Sequence, residues 1–147
     1  MTIRDWLEGL SYKLVQGSLD VEVNEVVYDS RKAAPGAVFV CMKGTKIDSH
    51  DFVGQVTDAG VKVLVTEHAV EAPADVTVVE TANGREALAL LSAARFGYPS
   101  RKLTMIGVTG TKGKTTTTHM IKTILETAGK KTGMIGTNGV YIGEEHF

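Results

Sequence analysis

The residues with the clearest chemistry are Gly110, Thr111, Lys112, Gly113, Lys114, Thr115 and Thr116. A triphosphate needs close backbone approach, inward-pointing donors and a positive field. Glycines permit the approach, and the free N–H groups and dipole of a helix N-terminus supply the other two. In that arrangement Lys114 reaches the β- and γ-phosphates and is the expected catalytic side chain, while the Thr115 hydroxyl is the expected Mg²⁺ ligand. The strict pattern G-x-x-x-x-G-K-[ST] would place its first glycine at position 108, which is Val108; Gly107 stands one residue too early. The competing reading is a glycine-rich strand–helix turn with a chance Lys-Thr pair. Thr115 to Thr118 form a run of mediocre helix formers, so their place at a helix start favours a site. Thr117 and Thr118 are expected to pack or face solvent, and His119 to lie on the surface.

Such a loop needs a strand to deliver it and a helix to receive it. Residues 103–109, LTMIGVT, read as the strand. Residues 114–128 read as the helix, with Met120, Ile121, Ile124, Leu125 and Ala128 on one face and Gly129 as its stop. Residues 132–137, TGMIGT, read as the next strand, which makes one βαβ unit. A nucleotide-binding sheet needs several more strands, so residues 101–147 are expected to be the opening of a larger, truncated domain. Residues 1–100 are expected to form a small α/β domain with its own core. Its elements are one or two short strands in VEVNEVVY (21–28), a polar turn at Asp29, Ser30, Arg31 and Lys32, and a buried strand in AVFVCM (37–42). A polar loop over 43–51 follows, then a helical face of Phe52, Val53, Val56 and Ala59 stopped by Gly60. Buried strands are expected over 61–66 and 76–80. Asn83 and Glu86 have capping-box spacing and open a helix that ends near Gly97.

Composition bounds the function. A chain of 147 residues is one domain, or one and part of a second. Hydrophobic residues at 43% and charged residues at 22% argue against wholesale disorder. Sixteen Lys plus Arg against seventeen Asp plus Glu leave no basic excess for coating nucleic acid. The single cysteine, Cys41, excludes an intramolecular disulfide framework and a cysteine-based zinc site, and is expected to be a buried apolar residue. No signal-peptide core and no run of about 18 apolar residues is visible, so a soluble cytoplasmic protein without a membrane partner is expected. Without heptads or a broad apolar stripe, the expectation is a monomer. Trp6 and Leu7 are expected in the core. His50 with Asp48 and Asp51 raises a metal cluster, but their polar loop favours solvated-turn or substrate-loop residues; His68 is expected on the surface.

The string Ile106-Gly107-Val108-Thr109-Gly110-Thr111-Lys112-Gly113-Lys114-Thr115-Thr116-Thr117 resembles the ATP loop of the Mur ligases, which add amino acids to the UDP-linked peptidoglycan precursor. Their loop reads G-T-x-G-K-T, which accounts for Val108. Independently, Asp29-Ser30-Arg31-Lys32, Pro35-Gly36, AVFVCMKG and Asp48-Ser49-His50-Asp51-Phe52 are similar to the UDP-binding domain of the E- and F-type enzymes. The resemblance runs from about Glu25 onward. Thr111 and the segment Lys131-Thr132-Gly133-Met134-Ile135-Gly136-Thr137 favour the E type.

The resemblance implies an α/β fold: a UDP-substrate-binding domain over 1–100 and the start of a P-loop-type central ATPase domain over 101–147. It implies ATP and Mg²⁺ as cofactors and UDP-N-acetylmuramoyl-L-Ala-D-Glu as substrate. A diamino acid, L-lysine or meso-diaminopimelate, would be joined to it through an acyl phosphate. By position, Ser30 is implied to bind the uridine diphosphate, with the backbone around Tyr28 and the loop Thr45, Lys46 and Ile47 enclosing it. The other role for Ser30 is to organise the 29–31 turn. The family usually carries Asn where this chain has Lys112. Its remaining catalytic parts follow later in the family's sequences, so this chain alone is expected to ligate nothing. The alternatives are an F-type ligase, a non-catalytic UDP-sugar or nucleotide-binding module, and a generic P-loop NTPase.

Overall fold

Short apolar and β-branched runs bounded by turns settle into a sheet whose central strands are buried on both faces. A computed structural model describes residues 1–45 and 47–147; Lys46, expected in the substrate loop, lies outside the described residues. Two compact units divide the chain, Met1–Leu103 and Thr104–Phe147.

The first unit holds five strands in the order β1-β5-β4-β3-β2. They are β1 (Lys13–Gln16), β2 (Glu25–Val27), β3 (Ala37–Val40), β4 (Val63–Thr66) and β5 (Thr77–Glu80). β2 to β5 run parallel, and β1 closes one edge antiparallel to β5. Every residue of β3 and β4 is buried, which requires cover on both faces. Alternation sorts the side chains. Val38, Val40, Val63, Val65 and Val79 pack with α1 (Ile3–Trp6) and α3 (Gly84–Arg95). Phe39, Cys41, Leu64 and Val78 pack with Val53 and Val56 of α2 (Val53–Asp58).

Local chemistry sets the boundaries. The Asn83 side chain accepts from the N–H groups of Arg85 and Glu86 and so caps α3 at the expected place, while the Glu86 side chain makes no return bond among the described residues, so the capping box is half formed. Gly60 takes φ +96 after α2, and a Cβ there would lie 2.8 Å from Pro35 Cγ. Trp6 and Leu7 are buried, as expected. Cys41 is fully buried, and that burial pushes its thiol up to about 12, which leaves no reactive thiolate.

The second unit holds α4 (Lys114–Thr127) and a three-stranded antiparallel sheet, β6 (Gly133–Gly136), β7 (Gly139–Ile142) and β8 (Glu145–His146). The helix matches the expected one. The strand expected over 103–109 is not formed: these residues carry no ladder, and Leu103, Met105 and Ile106 are exposed. A strand exists only through a partner's hydrogen bonds. Here β6 takes β7 as its antiparallel neighbour, so the expected βαβ pairing is replaced by a meander. Among the described residues no helix is long and apolar enough to cross a membrane.

Candidate functional site

In the second unit, Gly113 precedes α4 with φ +77, a conformation that costs glycine little and other residues more. No side chain caps the first turn of α4, so its leading N–H groups face outward. The Lys114 ammonium folds back across the loop and donates to the Gly110 carbonyl at 2.6 Å. Gly110, Thr111, Lys112, Lys114, Thr115 and Thr116 are all exposed. Thr118 instead turns its hydroxyl onto the carbonyls of Lys114 and Thr115 and is half-buried, which selects packing from the two roles expected for it. A groove of about 210 Å³ adjoins the loop, lined by Lys114, Thr115, His119, Asn138 and Tyr141 among others. His119 is half-buried, and its ring meets Tyr141 edge-on at 5.3 Å, so it is less superficial than expected.

A single threonine hydroxyl suits Mg²⁺ carried on a triphosphate, because that ion keeps several waters and takes few protein ligands. The Thr115 hydroxyl makes no hydrogen bond among the described residues, so it is free for such a role.

In the first unit, the segments singled out from the sequence follow the C-terminal ends of neighbouring parallel strands. Tyr28 and Ser30 follow β2, Thr45 and Ile47 follow β3, and Glu67 and His68 follow β4. That end of a parallel sheet is where open α/β folds bind ligands. Tyr28, Thr45 and Ile47 are exposed and Ser30 is half-buried at the start of a single 3₁₀ turn, Ser30–Lys32. Asp29 organises that turn. Its carboxylate accepts from the Arg31 N–H at 3.1 Å and pairs with the Arg31 guanidinium at 2.6 Å, which holds its carboxyl at about 2. The Ser30 hydroxyl makes no hydrogen bond among the described residues, so the turn does not depend on it.

His50 departs from expectation. Its side chain is 4% exposed, not solvated. The Glu67 N–H donates to Nε2 at 2.9 Å, which fixes the ring proton on Nδ1, and Nδ1 lies 2.5 Å from Asp48 Oδ1. His68 stacks on His50 with centroids 3.9 Å apart, and its Nε2 lies 3.8 Å from Asp48 Oδ2. The three side chains are close enough to suggest a metal centre. Both His50 nitrogens are already committed, however, and two remaining donors fall short of the three or four that protein metal sites use. The sequence missed Glu67. Burial opposes its ionisation, but N–H groups of Lys43 and Gly84, at 3.0 and 2.8 Å, outweigh that and hold its carboxyl below the ordinary value. The available signal was a lone acid directly after the apolar run of β4.

Known proteins match both units in chain order. Residues 22–96 match the Mur ligase family catalytic domain, and residues 108–147 match the Mur ligase middle domain. The UDP-N-acetylmuramoyl-L-alanyl-D-glutamate--2,6-diaminopimelate ligase of Clostridium perfringens is 43% identical over 145 residues, spanning 99% of this chain and 30% of the relative. The crystal structure of MurF from Acinetobacter baumannii aligns with a TM-score of 0.68 at 29% identity, over 94% of this chain and 30% of its own. MurF ligase from Thermotoga maritima in complex with ADP aligns with a TM-score of 0.57 at 25% identity, over 80% of this chain and 26% of its own. The chain thus spans about 30% of the length of the curated relatives it matches. With a family model covering more than half of its residues and a second following in order, the chain belongs to the Mur ligase family.

Proposed function

We propose that this chain supplies the UDP-substrate-binding domain and the ATP loop of an ATP-dependent amide ligase that joins meso-diaminopimelate to UDP-N-acetylmuramoyl-L-Ala-D-Glu. The observation that carries the reading is the glycine loop, where an uncapped helix start carries Lys114 and Thr115, both exposed and both lining one groove. The relatives' names support the diamino acid, and the ADP complex of a structural neighbour supports the nucleotide.

In this reading, residues 1–100 bind the uridine diphosphate through Ser30, the Tyr28 backbone and the loop of Thr45, Lys46 and Ile47. Residues 101–147 begin the ATP-binding domain. The substrate's terminal carboxylate attacks the γ-phosphorus and ADP departs. The amine then attacks the acyl carbon, phosphate departs, and the amide forms. Bringing two anions together is a task of positioning and cationic stabilisation. Lys114 supplies fixed positive charge, the α4 N–H groups orient phosphate oxygens, and Thr115 offers its hydroxyl to Mg²⁺, which when bound offsets phosphate charge.

The test is heteronuclear NMR on the whole chain, titrated separately with the UDP-muramoyl dipeptide and with Mg-ATP. The UDP compound should shift Ser30, Thr45 and Ile47, and Mg-ATP should shift residues 110–116. Response to ATP alone would replace the ligase reading with a generic nucleotide-binding module. The MurF alignments keep the F-type ligase as a second reading. Tighter binding of the UDP-linked tripeptide than of the dipeptide would favour it.

A further inference from the structure

We propose that Glu67 and His50 are positioning residues that clamp both arms of the loop between β3 and α2 into the shape that receives the uridine diphosphate. This inference rests on the reading of Thr45 and Ile47 as part of that site. The loop leaves the sheet after β3 and turns back on itself. The Gly44 N–H donates to the Ile47 carbonyl at 2.9 Å, and Lys43 pairs with Asp48 as an isolated antiparallel bridge. Ser49 closes the base: its N–H and hydroxyl both donate to the Met42 carbonyl, and its Oγ accepts from the Met42 N–H at 2.6 Å.

What fixes this hairpin to the sheet is Glu67, the first residue beyond β4. It acts at three atoms. Its Oε2 accepts from Lys43 on the outgoing arm, its Oε1 accepts from Gly84 at the start of α3, and its own N–H donates to His50 Nε2. The other His50 nitrogen holds Asp48 on the returning arm. One side chain and one ring thereby tie both arms to β4 and to α3. Gly84 makes this possible, since a Cβ there would stand 2.8 Å from the Cys41 carbonyl and 3.0 Å from Glu67 Oε1. None of these groups needs to touch ligand. Their effect is to spare the ligand the entropy of ordering the loop.

The acceptor pattern dictates the variants. Glu67→Gln keeps one oxygen and turns an NH₂ toward the other N–H partner. Asp48→Ala removes the acceptor for His50, whereas Asp48→Asn retains it, because both bonds from His50 fall on Oδ1 alone. Leu91→Ala, at a fully buried position of α3, serves as the control for lost stability. Binding of the UDP-muramoyl dipeptide to the whole chain is measured by calorimetry well below each variant's melting temperature. Glu67→Gln and Asp48→Ala should each weaken binding about tenfold, as expected for loss of a hydrogen bond to a charged group. Asp48→Asn and Leu91→Ala should stay within about twofold of the parent chain. If Glu67→Gln does not fold, the Asp48 pair decides alone. Unchanged affinity in Asp48→Ala, or equal losses in Asp48→Ala and Leu91→Ala, would overturn the clamp while leaving the substrate site intact. A parent chain that does not bind the compound would overturn the substrate reading itself and the clamp with it.

Discussion

At the scale of single residues, two lysines in one loop have different prospects. Lys114 is bent across the loop onto the Gly110 carbonyl, where, on the proposed reading, its ammonium would meet an incoming phosphate without leaving the helix start. Lys112 is exposed and forms none of the loop's described hydrogen bonds. Lys114→Ala should therefore weaken Mg-ATP binding by at least about tenfold, the scale of a lost charge-assisted contact. Lys112→Asn should leave it within a few-fold. Calorimetric titration of both variants checks this, and a larger loss from Lys112→Asn would make Lys112 the principal phosphate ligand. Asp29 offers a second test. The guanidinium and N–H of Arg31 lower its carboxyl from 3.8 to about 2. A depressed acid stabilises the fold above its unfolded value, and that contribution disappears as pH falls from 3.8 toward 2. Carboxyl-carbon NMR should find Asp29 titrating near 2 in the parent chain and moved upward in Arg31→Ala, but short of 3.8, because the N–H of residue 31 still donates to it. No upward shift in the variant would show that backbone donation, not the guanidinium, sets the value.

At the scale of elements, α3 is a direct test of what the sequence made legible. Asn83 accepts two N–H bonds at 3.1 and 3.2 Å, so Asn83→Ala should destabilise the first unit by about 1 kcal/mol, read from the urea midpoint at unchanged slope. That cap was readable because its donor and acceptor are two and three residues apart. β3, β4 and β5 were readable because burial on two faces leaves short, nearly continuous runs of apolar and β-branched residues. Features that depend on distant partners were not. The β1 sequence, Lys13-Leu14-Val15-Gln16, shows no alternation, and its burial is slight because it lies at a sheet edge. His50 sits in a polar string, and the distant partners it meets, Glu67 and His68, lie in the segment after β4. The run 103–109 has the composition of a strand, yet no segment of its unit pairs with it. The glycine loop was recognised from residue types and spacing, while the Glu67 clamp could be seen only once three strand ends stood side by side.

At the scale of the whole molecule, the apolar material is divided unequally. The first unit carries nearly all the buried hydrophobics, in two clusters on opposite faces of its sheet. In the second unit Met134 is the one buried hydrophobic among the described residues, and α4 buries none. Met120 and Ile124 on α4 are 61% and 66% exposed, as are Ile135 and Phe147 to a similar or greater degree. A helix gains most of its stability in a protein by burying an amphipathic face, and the hydrogen bonds of α4 alone are marginal at its length. Local opening should therefore be far easier in the second unit. Amide hydrogen exchange on the whole chain should show β3 and β4 as the slowest region, with α4 and β6 to β8 exchanging at least about 100-fold faster. Mg-ATP should slow exchange at the start of α4 by mass action while leaving β3 and β4 nearly unchanged. Equal protection in α4 and β4 without nucleotide would mean that the Met120 and Ile124 face is covered in solution. Sedimentation at several concentrations would then show whether a second copy of the chain covers it. The expected division instead gives a first unit rigid enough to hold the proposed substrate loop preformed, and a second unit whose proposed phosphate loop gains order when nucleotide binds.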